Sequence, residues 1–264
     1  MRSVRGRVIQ RALVGAGLLL VAGPAGARLK HRVPAFEPTD LELEDPRTLE
    51  LDLQVGVLAR DTAPKTRVFV PDFELDLGLT ERVELDIDGA FSLDREDGAY
   101  SPTADTLWTA VKLELAAVRD DDDERHVWAL GAQLGPRLPT APNSYGTGFG
   151  AVLLAARMNA PFHGIANVGG VLEPLDRTEH ERSAAAIAGL DLDYDLDDAD
   201  RFSLLAEVAG AYSLGPDPHD FHTTLGIDYA PSPWLDVSLV GFYGFIKGGD
   251  RAGVFVGIAP KFPL

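Results

Sequence analysis

The sequence predicts an all-β fold, a transmembrane antiparallel up-and-down β-barrel of about twelve strands. Three observations predict it. The N-terminus reads as an export signal. From residue 49 onward apolar and polar residues alternate with period two. Many of the alternating segments run for roughly 9 to 13 residues, enough to cross a bilayer at a tilt, where soluble strands centre near 5 to 6.

The export signal comes first. Arg2, Arg5, Arg7 and Arg11 form a positive region without an acidic residue, and the apolar run Ala12–Ala22 leads to Gly23-Pro24. Ala25-Gly26-Ala27 supplies the small-x-small pattern of a cleavage site, in a segment too short to span a membrane as a helix. Residues 1–27 are therefore expected to be a cleavable signal peptide. Residues 28–48, punctuated by Pro34, Pro38 and Pro46, are expected to form a periplasmic extension, and residues 49–264 the barrel. The chain has no cysteine, which excludes disulfides, thiolate metal sites and a lipoprotein anchor. Its net charge of −17 falls by four, to −21, when the four signal arginines leave. Such a chain is a poor partner for nucleic acid, which needs a positive face.

The strands follow in order. Leu49, Leu51, Leu53, Val55 and Val57 alternate with Glu50, Asp52, Gln54 and Gly56. Val68–Leu79 is the second strand, and Val83–Leu93 the third after the turn Thr80-Glu81-Arg82. On a strand, successive side chains point to opposite faces, so each segment carries one apolar and one acidic or small face. A helix would scatter the same carboxylates around its whole surface. Leu107–Ala117, Val127–Leu138, Gly148–Ala160, Ile165–Leu172, Ala184–Leu196, Phe202–Tyr212, Phe221–Tyr229, Leu235–Phe245 and Gly253–Leu264 complete twelve. Gly148–Ala160 and Ile165–Leu172 are so rich in Gly and Ala that the apolar face is hard to read.

Connections alternate between mostly short turns, such as Thr80–Arg82 and Pro161–Gly164, and longer ones, such as Asp94–Asp105, Pro136–Gly146 and Pro174–Arg182. Short periplasmic turns and longer outer loops are the habit of outer-membrane barrels. Trp108, Trp128, Tyr194, Phe202, Tyr212, Tyr229, Trp234 and Phe245 gather near strand ends, as the interfacial girdles of such barrels do. The last strand resembles the C-terminal strand read by the barrel-assembly machinery, with Phe262 and Leu264 as its terminal apolar residues, although Pro260 and Pro263 are unusual there. The expected partners are thus outer-membrane lipid, the barrel-assembly machinery and a small solute.

The face opposite the leucines is expected to line the lumen with acids: Glu74, Asp76, Glu84, Asp86, Asp88, Glu114, Asp191, Asp193, Glu207 and Asp228, joined by Glu50, Asp52 and Asp236. Lys112 and Arg157 are the basic residues placed there. Such a face would attract cations; the alternative is that many of these groups lie at a solvated rim. Asp120–Glu124 lacks the ligand spacing and central glycine of a calcium loop. His180 with Glu179 and Glu181, and His219 with Asp217 and Asp220, fall in outer loops, and His222 lies on a polar strand face near the outer mouth. No HExxH pattern is present and no serine stands in a nucleophile's context, so no catalytic residue, metal or cofactor is assigned and the chain is not read as an enzyme.

Glu74–Leu85 (Glu-Leu-Asp-Leu-Gly-Leu-Thr-Glu-Arg-Val-Glu-Leu), Gly135–Thr140 and Gly146–Gly150 resemble the outer-membrane β-barrel transporter family of the phenol meta-pathway degradation type. The resemblance spans nearly all of residues 49–264. It implies an outer-membrane channel, with small organic or aromatic compounds as candidate solutes and no catalytic residues to carry over. Three readings stay open: a channel for small solutes, a closed structural or partner-binding barrel, and a secreted soluble β protein. Mass spectrometry of the protein recovered from membranes should find Arg28 as its first residue; an intact Met1 in the cytosol would contradict the export reading.

Overall fold

A computed structural model describes residues 43–61, 65–96, 98–119, 126–141, 144–159, 161–176, 182–197, 201–215, 219–247 and 250–264. The expected signal peptide, residues 28–42 of the expected extension, the acidic run Asp120–Glu124 and the His180 group lie outside the described residues. Twelve long strands build the wall: β1 (Thr48–Arg60), β2 (Thr66–Thr80), β3 (Val83–Glu96), β5 (Leu107–Arg119), β6 (His126–Leu138), β8 (Gly148–Asn159), β9 (Phe162–Asp176), β10 (Arg182–Asp195), β11 (Phe202–Ser213), β12 (Asp220–Ser232), β13 (Leu235–Gly244) and β14 (Asp250–Pro263). Two short strands, β4 (Ala99–Ala104) and β7 (Ser144–Tyr145), pair with β3 and β9.

Each long strand pairs antiparallel with its neighbours, and β14 returns to β1 from Thr48↔Pro263 to Arg60↔Asp250. The sheet is therefore closed. Every strand read from the alternation is present. Several run farther than the alternation does; β3 continues to Glu96 and β9 to Asp176. There the residues are polar on both faces (Asp94, Arg95, Glu96), so no periodicity marks the strand. The ladder persists because β4 folds back on β3, pairing Ser92↔Thr103 and Arg95↔Tyr100. The expected loop Asp94–Asp105 is mostly this hairpin.

The two faces are sorted with the opposite sense to a soluble protein. Leu130, Leu153, Val168, Leu225, Leu239 and Val254 each leave more than half of their surface on the outside. Glu50, Gln54, Glu84 and Asp86 on the inner face are essentially inaccessible. So wide an apolar exterior is the surface of a barrel solvated by lipid, not water. Aromatic residues Trp128, Tyr194, Phe202, Tyr212, Tyr229 and Phe245 lie on this exterior, with Phe202 stacked on Tyr229 at 4.4 Å. Trp108 does not. It is buried inside the barrel, donating its indole N–H to the Gly135 carbonyl at 3.2 Å.

The short turns close the rim that also carries both described chain ends, the periplasmic rim in barrels of this class. Asp197 staples the β10–β11 turn by accepting from the backbone N–H groups of Arg201 (2.7 Å) and Phe202 (3.0 Å). Those bonds, Phe202's first, hold its carboxyl below the usual carboxylate range. The register carries a test. Leu239→Arg places a guanidinium in acyl chains and should cost about 2–4 kcal/mol, whereas Ser238→Arg, facing inward beside its cross-strand neighbour Asp228, should cost far less. Urea titration of folding into bilayers measures both, and equal losses would contradict the register.

Candidate functional site: the barrel interior

Residues reach the interior by parity. On β1, β2, β3, β12 and β13 the even positions below the bulges point inward; on β10, β11 and β14 the odd ones do. Glu84, Asp86, Asp76, Glu114, Asp191, Asp193, Glu207 and Asp228 are buried on this inner face, and Glu74 and Asp88 are half-buried. Glu50, Asp52 and Asp236 join them. Arg157 is a correction: on β8 the even residues Val152, Leu154 and Ala156 are buried, so Arg157 faces outward, its guanidinium 5.1 Å from the Trp128 ring.

The acids are not uniformly distributed. From β5 to β10 the inner wall carries an apolar cluster, Trp108, Ala110, Val152, Leu154, Ile165 and Ile187 with small alanines between them, beside the buried polar residues Lys112, Glu114, Gln133, His163 and Asn167. This is the stretch whose faces the Gly- and Ala-rich sequence left unclear. The acids concentrate on β1–β3 and on β10–β13.

Burying carboxylates costs several kcal/mol each unless charge and hydrogen bonds compensate. Lys112, on β5, reaches Glu84 at 2.8 Å and Asp76 at 3.8 Å, with all three groups almost fully enclosed. The Gln133 amide donates to Asp86. Asp52, Glu74 and Asp76 bring one oxygen each within 4.8 Å of one another, an arrangement able to hold a cation, with Lys112 already supplying positive charge at Asp76. On β9–β11, Asp195 takes His163 Nε2 at 2.8 Å and the Ser203 hydroxyl at 2.7 Å. The serine therefore meets the carboxylate rather than the imidazole, which is not the order that activates a nucleophile.

The periplasmic end holds a feature that the sequence pattern did not announce. Just before β1, Glu44 enters the barrel mouth: its backbone N–H donates to Glu84, and Lys261 bridges Glu44 and Glu50 at 2.6 Å each. Gly78 makes room, since a Cβ there would stand 2.2 Å from the Asp45 carbonyl oxygen. Arg47 N–H donates to Gly78, and Leu264 N–H to Arg47, fastening the segment to both ends of the sheet seam.

At the outer end lies a chamber of about 520 Å³. Its apolar side is Leu58, Phe69, Phe242 and Phe255, packed as one cluster with Phe69 and Phe255 tilted at 5.6 Å. Phe255 lies over Gly56, where a Cβ would meet the ring at 2.1 Å. Its polar side includes Asp72, Asp88, Asp105, Asp176, Arg137 and His222. Burial pushes the Asp105 carboxyl up, opposed by Arg67. His222 is held by Asp220 at 2.5 Å and Glu207 at 3.5 Å and packs 4.8 Å from Phe242. His219 accepts from Ser213 N–H at 3.1 Å and stacks on Tyr212, so its ring is engaged in holding the loop; Asp217 lies outside the described residues.

An outer-membrane channel from Pseudomonas putida F1 superposes on this barrel with a TM-score of 0.60 at 10% identity, covering 86% of this chain and 100% of that one. The NanC porin gives 0.56 at 10% identity, over 80% and 100%. This chain has the fold of the outer-membrane β-barrels. At such identities the likeness is one of fold; no family model and no curated protein matches the sequence.

The barrel's buried lysines make a prediction. Lys261→Met leaves Glu44 and Glu50 enclosed without the ammonium between them and should destabilise the barrel by about 3–5 kcal/mol, as breaking a buried pair does. Lys261→Arg should recover most of it. The temperature at which the folded band is lost on unheated gels reports the change, and an unaltered temperature for the Met variant would refute the bridge.

Proposed function

We propose that this barrel passes small solutes across the outer membrane, cations in preference to anions, after export, signal cleavage behind Ala27 and insertion by the barrel-assembly machinery. The observation that carries the reading is the sequence of environments along the interior: an outer chamber walled by carboxylates leads to a further layer of inward acids. Low-dielectric walls of one charge sign concentrate counter-ions. The fold shared with a channel supports passage, and the sequence resemblance to transporters of the phenol meta-pathway type supports small organic solutes.

A second reading rests on one observation. Glu50, Gln54, Glu84, Asp86, Lys112 and Gln133 are each exposed by 2% or less, so the inner face at their level offers no water-lined bore. A barrel that stays in this state is closed to flux and would act as a scaffold or partner-binding barrel. Passage requires the charged layer or the Glu44 segment to shift.

Reconstitution in planar bilayers separates the two. Conductance with a reversal potential favouring cations, weakening as ionic strength rises toward 1 M where the screening length is about 3 Å, is the expected result. Exchanging Asp86, Asp88 and Glu114 for amides should reduce that preference. Anion preference would overturn the acidic-interior argument, and silence under all voltages would favour the closed barrel.

A further inference from the structure

We propose that the outer chamber is a binding site for organic cations that carry an apolar, flat body, such as aryl-alkylammonium ions. This deepens the transport reading by naming a substrate class, and rests on it only for the sense of the passage; binding itself needs no flux.

The chamber's volume of about 520 Å³ falls in the range of small-molecule sites, roughly 300–1,000 Å³. Its charge is one-sided. Asp72, Asp88, Asp105, Glu173 and Asp176 line it, with Asp220 and Asp250 at the rim of the same space. Against them stand Arg137, paired with Glu173 at 2.9 Å, and Arg60, paired with Asp250 at 2.7 Å. Arg67 is committed to Asp94 through two bonds of 2.7 and 3.0 Å, and reaches Asp105 only at 4.0 Å. His222 faces Asp220 and Glu207. Even with His222 protonated, the described carboxylates around the chamber outnumber the described cationic groups. An anion entering would meet repulsion from most directions; a cation would meet attraction.

Charge alone would suit any cation. The apolar side narrows the class. Leu58, Phe69, Phe242 and Phe255 come from four strands to one inward patch, in a barrel whose other inward residues on those strands are mostly acidic, amide, glycine or serine. Gly56 is required for Phe255 to lie down over β1. Aromatic rings attract cations whose charge is spread over alkyl groups, and a planar body can pack against the part of Phe69 and Phe242 that stays accessible, 8% of each. A hydrated inorganic ion gains nothing from that patch, and a neutral arene gains nothing from the acids.

The test is equilibrium binding by calorimetry to the full-length exported protein in detergent at low ionic strength. The probes are benzyltrimethylammonium, tetramethylammonium, benzyl alcohol and benzenesulfonate. Saturable binding of benzyltrimethylammonium, at least about tenfold tighter than each of the other three, is expected from attraction by charge and ring together. Asp88→Asn with Asp176→Asn should weaken it about tenfold, and Phe242→Leu should bring it toward the tetramethylammonium value. Phe242→Leu keeps apolarity while removing the ring, and each variant is first checked for the folded band on unheated gels. Should the double Asn variant lose that band, the salt dependence of the native protein takes its place: affinity must fall between 0.01 and 1 M ionic strength. Equal affinity for benzenesulfonate, no saturable binding, or binding untouched by salt and by Phe242→Leu would each overturn the proposal. Binding without conductance would keep the site and remove the transport reading; conductance without binding would do the reverse.

Discussion

A strand that crosses hydrocarbon can leave no backbone N–H or C=O unpaired, because no water is present to replace the missing bond. For this chain the seam between β1 and β14 meets that demand, pairing the first strand with the last along almost its whole length. The two prolines of the last strand fit the seam by position. Pro260 faces Leu235 and Pro263 faces Thr48, both at the periplasmic rim, where a missing donor is not surrounded by lipid. The neighbouring amides still pair, Lys261 N–H with Trp234 and Leu264 N–H with Arg47. Nothing else in the architecture is possible until this seam closes.

Closure then dictates the interior. Once the leucines face lipid, period two sends Glu50, Asp52, Asp76, Glu84 and Asp86 inward whether or not the interior is wet. The lysines resolve the conflict. Lys112 sits between Glu84 and Asp76, and Lys261 between Glu50 and Glu44, so two ammonium groups answer four of the carboxylates at the periplasmic half. The apolar cluster on β5, β6, β8, β9 and β10 contributes in a different way: it fills part of the interior with side chains that need no partner. Residues 43–47 belong to the same solution, since Glu44 supplies the second carboxylate of the Lys261 bridge and Gly78 leaves space for its carbonyl.

The wall was legible in the sequence because lipid enforces a rule that applies at every position. Leu85 and Glu84, or Leu239 and Ser238, differ by one residue and must therefore differ in face. What stayed hidden was what depends on strands distant in sequence. Trp108 reads as a girdle aromatic because it opens a strand, yet the register β3–β5–β6 sets it beside Gly135 on the inner side. Arg157 lies in Leu-Leu-Ala-Ala-Arg, where alanines on both parities blur which residues point inward. Leu58 and Phe242 do follow the inward parity of Asp52 and Asp236, so a strict count could have found them; their meeting with Phe69 and Phe255 could not be counted, because it depends on which strand follows which around the barrel and on the bulge between Phe69 and Asp72. The Lys261–Glu44 bridge spans 217 residues and has no local signature at all.

Along β1 the inward positions read, from the outer end, Arg60, Leu58, Gly56 under Phe255, Gln54, Asp52 and Glu50. On the transport reading proposed above, a solute moving down this wall leaves a charged rim, crosses an apolar step and reaches carboxylates again. Each step has a different cost for different solutes. A small hydrated cation is attracted at both ends but must give up water at the apolar step, where no oxygen of the wall replaces it. A neutral arene crosses the apolar step at no loss and is then repelled by the desolvation of buried acids that it cannot pair. Only a cation with its charge screened by its own alkyl or aryl groups finds a partner at every level. On that reading the order of layers discriminates by the combination of charge and apolar surface rather than by size.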